Sequence, residues 1–185
     1  MSDINKRLDT LRELIQSKDL LEGKGLSNEV NIRIFCYDPK EEMIVRHFTE
    51  KLVTDQSLSC RIIEYNLYKV FLSICDGKKV TDNIPQLEEK KGKNAVVAQM
   101  QKTASVSAFI NKMDYEPKET GDILLITGVG EVFPFIRVHA LLEAMQPCFS
   151  NVPILVMYPG TFDGRHVKLF DILKPNSYYR AFNIV

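Results

Sequence analysis

The stretch Asp122-Ile-Leu-Leu-Ile-Thr-Gly-Val-Gly-Glu131 decides the fold. Ile123 to Ile126 form a continuous apolar run without polar alternation, as in a central parallel strand covered on both faces. Gly128 and Gly130 then free the backbone to turn toward a helix. Nucleotide-binding α/β proteins place their chemistry at such a turn, but the residues that chemistry needs are missing. A P-loop ATPase ends such a strand with a carboxylate that positions magnesium, and it carries Gly-x-x-x-x-Gly-Lys-Ser/Thr after an earlier strand. Here Thr127 and Gly128 stand at the strand end and Asp122 at its start. The first strand, Val30 to Phe35, runs into Cys36-Tyr-Asp-Pro-Lys-Glu-Glu42, which is acidic and has no glycine. A phosphate there would meet carboxylates instead of bare amides.

Outward from this strand the pattern alternates between strands and helices. Ile4, Leu8, Leu11, Leu14 and Ile15 recur at helical spacing and predict an opening helix over about residues 3 to 17. Asp38, Pro39 and Glu41-Glu42 form a helix start, with carboxylates complementing the helix dipole. That helix is expected to run to about Val53 and to bury Met43, Ile44, Phe48 and Leu52. Arg61 to Asn66 reads as the second strand, and Leu67 to Cys75 as a helix stopped by Asp76-Gly77. From Lys78 to Met113 there is no strand signal. Helical spacing in Ala95, Val96 and Met100, and in Val106, Phe109, Ile110 and Met113, predicts a helical insertion, with Glu88 to Lys91 as a solvated face. Phe135 to Met145 should be a helix ended by Pro147. Ile154 to Tyr158 is the fourth strand, closed by Pro159-Gly160. Asp163 is expected to cap a short helix through Leu173, and Tyr178 to Val185 is a fifth strand. The expectation is one α/β domain over residues 1–185, three-layered, with a mainly parallel five-stranded sheet and a helical insertion at 78–113. Such a sheet resembles a P-loop or AAA-type core without Walker motifs.

Length and composition exclude several classes. With 185 residues, 45% hydrophobic and 26% charged, the chain suits one soluble globular domain. Lys+Arg and Asp+Glu are both 24, so the global basic footprint of a DNA-binding protein is missing. Cys36, Cys60, Cys75 and Cys148 are well separated, have no C-x-x-C pair and read as reduced core or near-core thiols. No apolar stretch approaches the ~20 residues of a membrane span and no leader pattern opens the chain, which leads us to expect a cytoplasmic protein.

Four segments together resemble a known family. They are Gly23-Lys-Gly-Leu-Ser-Asn-Glu-Val30, then Leu125-Ile-Thr-Gly-Val-Gly-Glu-Val-Phe-Pro-Phe135 continuing to Arg137 and His139, then Met157-Tyr-Pro-Gly-Thr-Phe-Asp-Gly164, and Tyr178-Tyr-Arg-Ala-Phe182. This combination resembles the BrxB family encoded in BREX bacteriophage-exclusion operons, along essentially the whole chain. The resemblance implies a role in bacterial defence against phage, beside an AAA+ ATPase, a DNA methyltransferase and an alkaline-phosphatase-like PglZ protein. It carries over no catalytic residues.

Among candidate sites, Asp38, Glu131 and His139 or His166 are the residues a hydrolase would use, with Glu131 as base and a histidine as its acid partner. The plainer reading makes Glu131 a turn carboxylate, His139 a helix residue near the core and His166 an exposed helix residue. Arg137 and His139 lie about 200° apart on a helix and would not face one ligand. Three histidines without a cluster of Asp, Glu or Cys make no metal centre. For partner binding the candidates are Tyr158, Phe162 and Arg165, which combine aromatic rings, a rigid turn and an arginine. Tyr179 and Arg180 join them, in a terminal strand whose alternation puts Tyr178, Arg180 and Phe182 on one face. The expected function is therefore a non-catalytic adaptor of a BREX complex, with no cofactor, binding PglZ and presenting a further surface to the ATPase. The alternatives are a nucleic-acid-binding module using the basic residues of 78 to 102, or a nucleotide or phosphodiester hydrolase.

Overall fold

The computed structural model describes residues 3–22, 31–163, 166–173, 176–177 and 181–185. Helix α1 (Ile4–Leu14) starts where the Asp3 carboxylate accepts the Asn5 amide, and it buries Ile4, Leu8 and Leu11. The short α2 (Lys18–Leu21) follows, capped by Ser17. Strand β1 (Ile32–Tyr37) leads into a 3-10 turn (Pro39–Glu41) that Asp38 caps, and then into α3 (Glu42–Thr54). Strand β2 (Arg61–Asn66) passes directly into α4 (Leu67–Gly77), whose first turn is capped by Asn66. Helices α5 (Ile84–Lys91), α6 (Lys93–Thr103) and α7 (Val106–Met113) precede β3 (Asp122–Thr127). Helices α8 (Val129–Val132) and α9 (Val138–Met145) lead to β4 (Ile154–Phe162). Strands β5 (His166–Leu169), β6 (Asn176–Ser177) and β7 (Ala181–Asn183) complete the described chain.

Five strands form a parallel sheet in the order β2-β3-β4-β1-β7. Every residue of β3 is buried, as its unbroken apolar run requires. Alternation splits that run between two cores. Ile123 and Leu125 face Leu8, Leu11, Val45 and Leu52 of α1 and α3. Leu124 and Ile126 face Phe71, Phe109, Leu141 and Met145 of α4, α7 and α9. The result is a helix–sheet–helix sandwich, as the βα alternation predicts.

Four expectations need correction. Helix α3 buries Val45, Thr49 and Leu52, with Phe48 half-buried. Met43 is 70% and Ile44 43% exposed, so the sheet meets the other side of a helix that carries apolar residues on two sides. Strand β4 does not close at Pro159-Gly160: it continues to Phe162, where Gly160 to Phe162 pair antiparallel with Leu169 to Val167 of β5. Consequently Asp163 caps no helix. Its carboxylate accepts the His166 amide at 2.7 Å across the hairpin turn, and His166 lies on a strand. Helix α9 starts at Val138, three residues later than predicted. In the 78–113 region, Met100, Phe109 and Met113 are buried in the main core, whereas α5 contributes no buried residue. Residues Gly23 to Val30 and Tyr178 to Arg180 lie outside the described residues.

Candidate functional site

Open α/β sheets bind ligands outside the carboxyl ends of their strands. At that edge, β1, β2 and β3 deliver Tyr37, Asn66 and Thr127 to a crevice of about 180 Å3, walled by α3, the start of α4, and α8. The crevice is lined by bonds between the protein's own side chains. Arg46 of α3 reaches Glu42 one turn earlier at 3.3 Å and Glu131 of α8 at 2.8 Å. The Tyr37 hydroxyl donates to Glu42 at 2.6 Å. Thr127 donates to Glu64 at 2.6 Å, and the Asn66 amide group points to Glu131 at 3.4 Å. Asn66 is fixed because its Oδ1 accepts the Lys69 amide at the start of α4.

The electrostatics follow from that list. Four carboxylates, Glu42, Glu50, Glu64 and Glu131, line the crevice against Arg46 and Lys69. Hydrogen bonds to Glu131 and Glu42 make Arg46 hold its proton more tightly. Burial, and then the bond to Glu42, raises the Tyr37 phenol above its ordinary value and keeps it a donor. A phosphate entering here would meet net negative charge and an arginine already engaged twice. Asp38, at the end of β1, spends its carboxylate on the Lys40 amide at 2.9 Å. Among the described residues no three His, Cys, Asp or Glu side chains are grouped to hold a metal ion.

A second hollow, of about 220 Å3, lies between the start of α9 and the β4–β5 hairpin, and Arg137, His139 and Tyr158 help to line it. The expected opposition of Arg137 and His139 is overturned. Arg137 is the extended residue preceding α9, at φ −98° and ψ 119°, so helical spacing does not apply to it and both side chains border one cavity. Burial foremost, and then the Arg137 charge, lowers the His139 pKa, against an opposing pull from Glu143.

The structure distributes the sequence candidates unevenly. Tyr158 is 2% exposed and forms part of the wall of the second hollow, so it presents no ring to a flat docking partner. Phe162 is half-buried and packs against the main core. Arg165, Tyr179 and Arg180 lie outside the described residues. His166 Nδ1 is 3.3 Å from Asp163 Oδ2 on the hairpin. Glu131 and His139 line different hollows, so Asp38, Glu131 and His139 form no triad. Sequence reading missed Arg46, Glu42, Glu64 and Asn66. The four-residue spacing of Glu42 and Arg46 was a signal for their ion pair, but nothing local marks Glu131 as its third member.

Fold and site together define a three-layer α/β protein whose sheet edge, at the carboxyl ends of the strands, carries ion pairs among its own side chains. The family described as "BREX protein BrxB" matches residues 63–184, and the chain belongs to that family of BREX bacterial defence systems. A "BREX protein BrxB" of Bacillus cereus (strain H3081.97) is 36% identical over 192 aligned residues, covering 100% of this chain and 99% of that protein. A second, of Escherichia coli O9:H4 (strain HS), is 26% identical over 183 residues, covering 97% and 90%. No solved structure matches the chain.

Proposed function

We propose that this chain is a non-catalytic adaptor or assembly subunit of a BREX complex, built on a P-loop-like sheet that lacks nucleotide machinery. The observation that carries this reading is the engaged arginine: Arg46 is bonded to both Glu42 and Glu131 at the edge where an ATPase would hold phosphate. The acidic, glycine-free segment after β1 supports it as well. In this reading the protein works in the cytoplasm, and its partners are other BREX proteins, first the PglZ-like protein and then the AAA+ ATPase. No helix among the described residues is long and apolar enough to cross a membrane, which agrees with such a setting.

The test is size-exclusion chromatography with light scattering on this protein mixed with the PglZ-like and AAA+ proteins of its own operon, with and without ATP. A stoichiometric complex, together with no ATP or phosphodiester turnover by this chain alone, is the expected result. Elution alone in every mixture, or divalent-dependent turnover lost in Glu131→Gln, would overturn the reading.

A further inference from the structure

The hollow beside α9 differs in kind from the acidic crevice. Its walls include Val129, Ile136, Val138, Val167 and Leu169, and its volume of about 220 Å3 suits one apolar side chain, below the ~300–1,000 Å3 of pockets for drug-sized ligands. Two of its polar features suit an anion. Arg137, the residue that opens α9, makes no side-chain cap hydrogen bond to the helix, whose start carries the positive end of the helix dipole. Arg137 is exposed, borders the hollow and has no ion-pair partner among the described residues.

Tyr158 supplies an independent polar group at the hollow. It is 2% exposed, yet its hydroxyl makes no hydrogen bond among the described residues. No fully enclosed polar side-chain atom there lacks a partner, so this hydroxyl reaches open space, and the hollow is the space Tyr158 lines. Burial, with smaller contributions from Cys36 and Asp171, keeps the phenol protonated well above its ordinary value, so it offers a hydrogen to an acceptor. Glu143, one turn along α9 and the acidic group nearest to His139 in effect, does not line the hollow.

We propose that this hollow binds a carboxylate carried on a short apolar group the size of a leucine or phenylalanine residue. Arg137 and the first amides of α9 take the carboxylate, the aliphatic walls take the apolar body, and Tyr158 donates to an oxygen of the ligand. Two sources share this chemistry: a free short-chain acid, and the last residue of a polypeptide. The site stands whether or not the chain is an adaptor.

The test is an amide-resolved NMR titration of the full chain with 4-methylpentanoate and with N-acetyl-leucine, each against its neutral amide. Saturable shifts at Ile136 to His139 are expected for an acid, with the matching amide at least about tenfold weaker, the loss of one charge-assisted contact. Arg137→Ala, at an exposed position, should weaken acid binding about tenfold, and Tyr158→Phe should weaken it severalfold with the rest of the spectrum unchanged. Tighter binding of N-acetyl-leucine assigns the site to a chain end, and tighter binding of 4-methylpentanoate to a free acid. Absence of saturable shifts at the hollow with either acid, or amides that bind as well as the acids, would overturn the proposal.

Discussion

Arg46 and Glu131, 85 residues apart in the chain, meet at 2.8 Å and tie helix α3 to the turn that follows β3. The same guanidinium holds Glu42 at 3.3 Å, so one arginine bridges the two segments that flank the sheet edge at the carboxyl ends of the strands. Both Arg46 and Glu131 remain more than a third exposed, which places the pair among surface ion pairs and not among buried ones.

Arg46→Ala and Glu131→Gln should each lower stability by only about 0.5–1 kcal/mol, less at high salt. In a host carrying the complete operon, both variants should keep phage resistance, measured as plating efficiency. Loss of resistance by a variant whose melting temperature is nearly unchanged would show that the crevice is a working site and would sink the non-catalytic reading.

Gly128 sits at φ +68°, and a Cβ added there would lie 2.7 Å from Asn66 Oδ1. Asn66 cannot swing away freely, because that oxygen caps α4 through the Lys69 amide. Gly128→Ala should therefore cost about 2 kcal/mol, combining left-handed strain with a displaced cap. Asn66→Ala alone should cost about 1 kcal/mol. In denaturant melts the double variant should lose less than the sum, since one side chain is the obstacle to the other. Strict additivity would contradict the close approach.

Asp122 is 2% exposed at the start of β3. It accepts from Arg61 at 2.7 and 2.8 Å, from Tyr115 at 2.9 Å and from the Glu119 amide at 3.0 Å. Burial alone would raise its pKa, but the bonds from Arg61, the Glu119 amide and Tyr115 outweigh that and hold the carboxyl below its ordinary value. A depressed carboxyl stabilises the fold above the unfolded value of about 3.9, and the contribution is lost as pH falls through the folded value. Asp122→Asn should thus lower the urea midpoint at pH 6, by about 2 kcal/mol in stability, and give a flatter decline between pH 5 and 3 than the parent. An equal acid slope in both proteins would refute this assignment.

Cysteine reactivity separates the core from the surface. Cys36 and Cys75 are buried and Cys148 is exposed. Burial foremost, opposed by Arg7 and aided by Asp171, pushes the Cys36 thiol up to about 12. Because the thiolate is the reacting form, alkylation at pH 8 should label Cys148 rapidly and Cys36 only on unfolding. Mass spectrometry of timed digests reads the order directly, and early labelling of Cys36 would contradict the packing of β1 against β4.

Where burial dictates side-chain type, the sequence was legible. Ile123 to Ile126 announced a two-sided strand, and Arg61 to Asn66 was delimited residue for residue. On α3 the pattern holds for Leu52 and in part for Phe48 but fails for Met43 and Ile44, which are as apolar as Val45 and are distinguished from it only by contact with the sheet. The Pro159-Gly160 pair read as a strand end. Yet Gly160, at φ +155°, is where β4 begins to pair with β5, and a Cβ there would collide with the Lys168 carbonyl.

The sequence by itself determined the class of this protein, its alternation of strands and helices, its lack of a phosphate loop and its family resemblance. All of these rest on residue types and short spacings, which local propensity and burial impose. The tertiary structure alone decided the strand order, the hairpin after β4, the joining of Arg46 to Glu131 and the shared cavity of Arg137 and His139. Those depend on contacts between segments distant in the chain, or on a helix starting three residues late, and no local pattern encodes either.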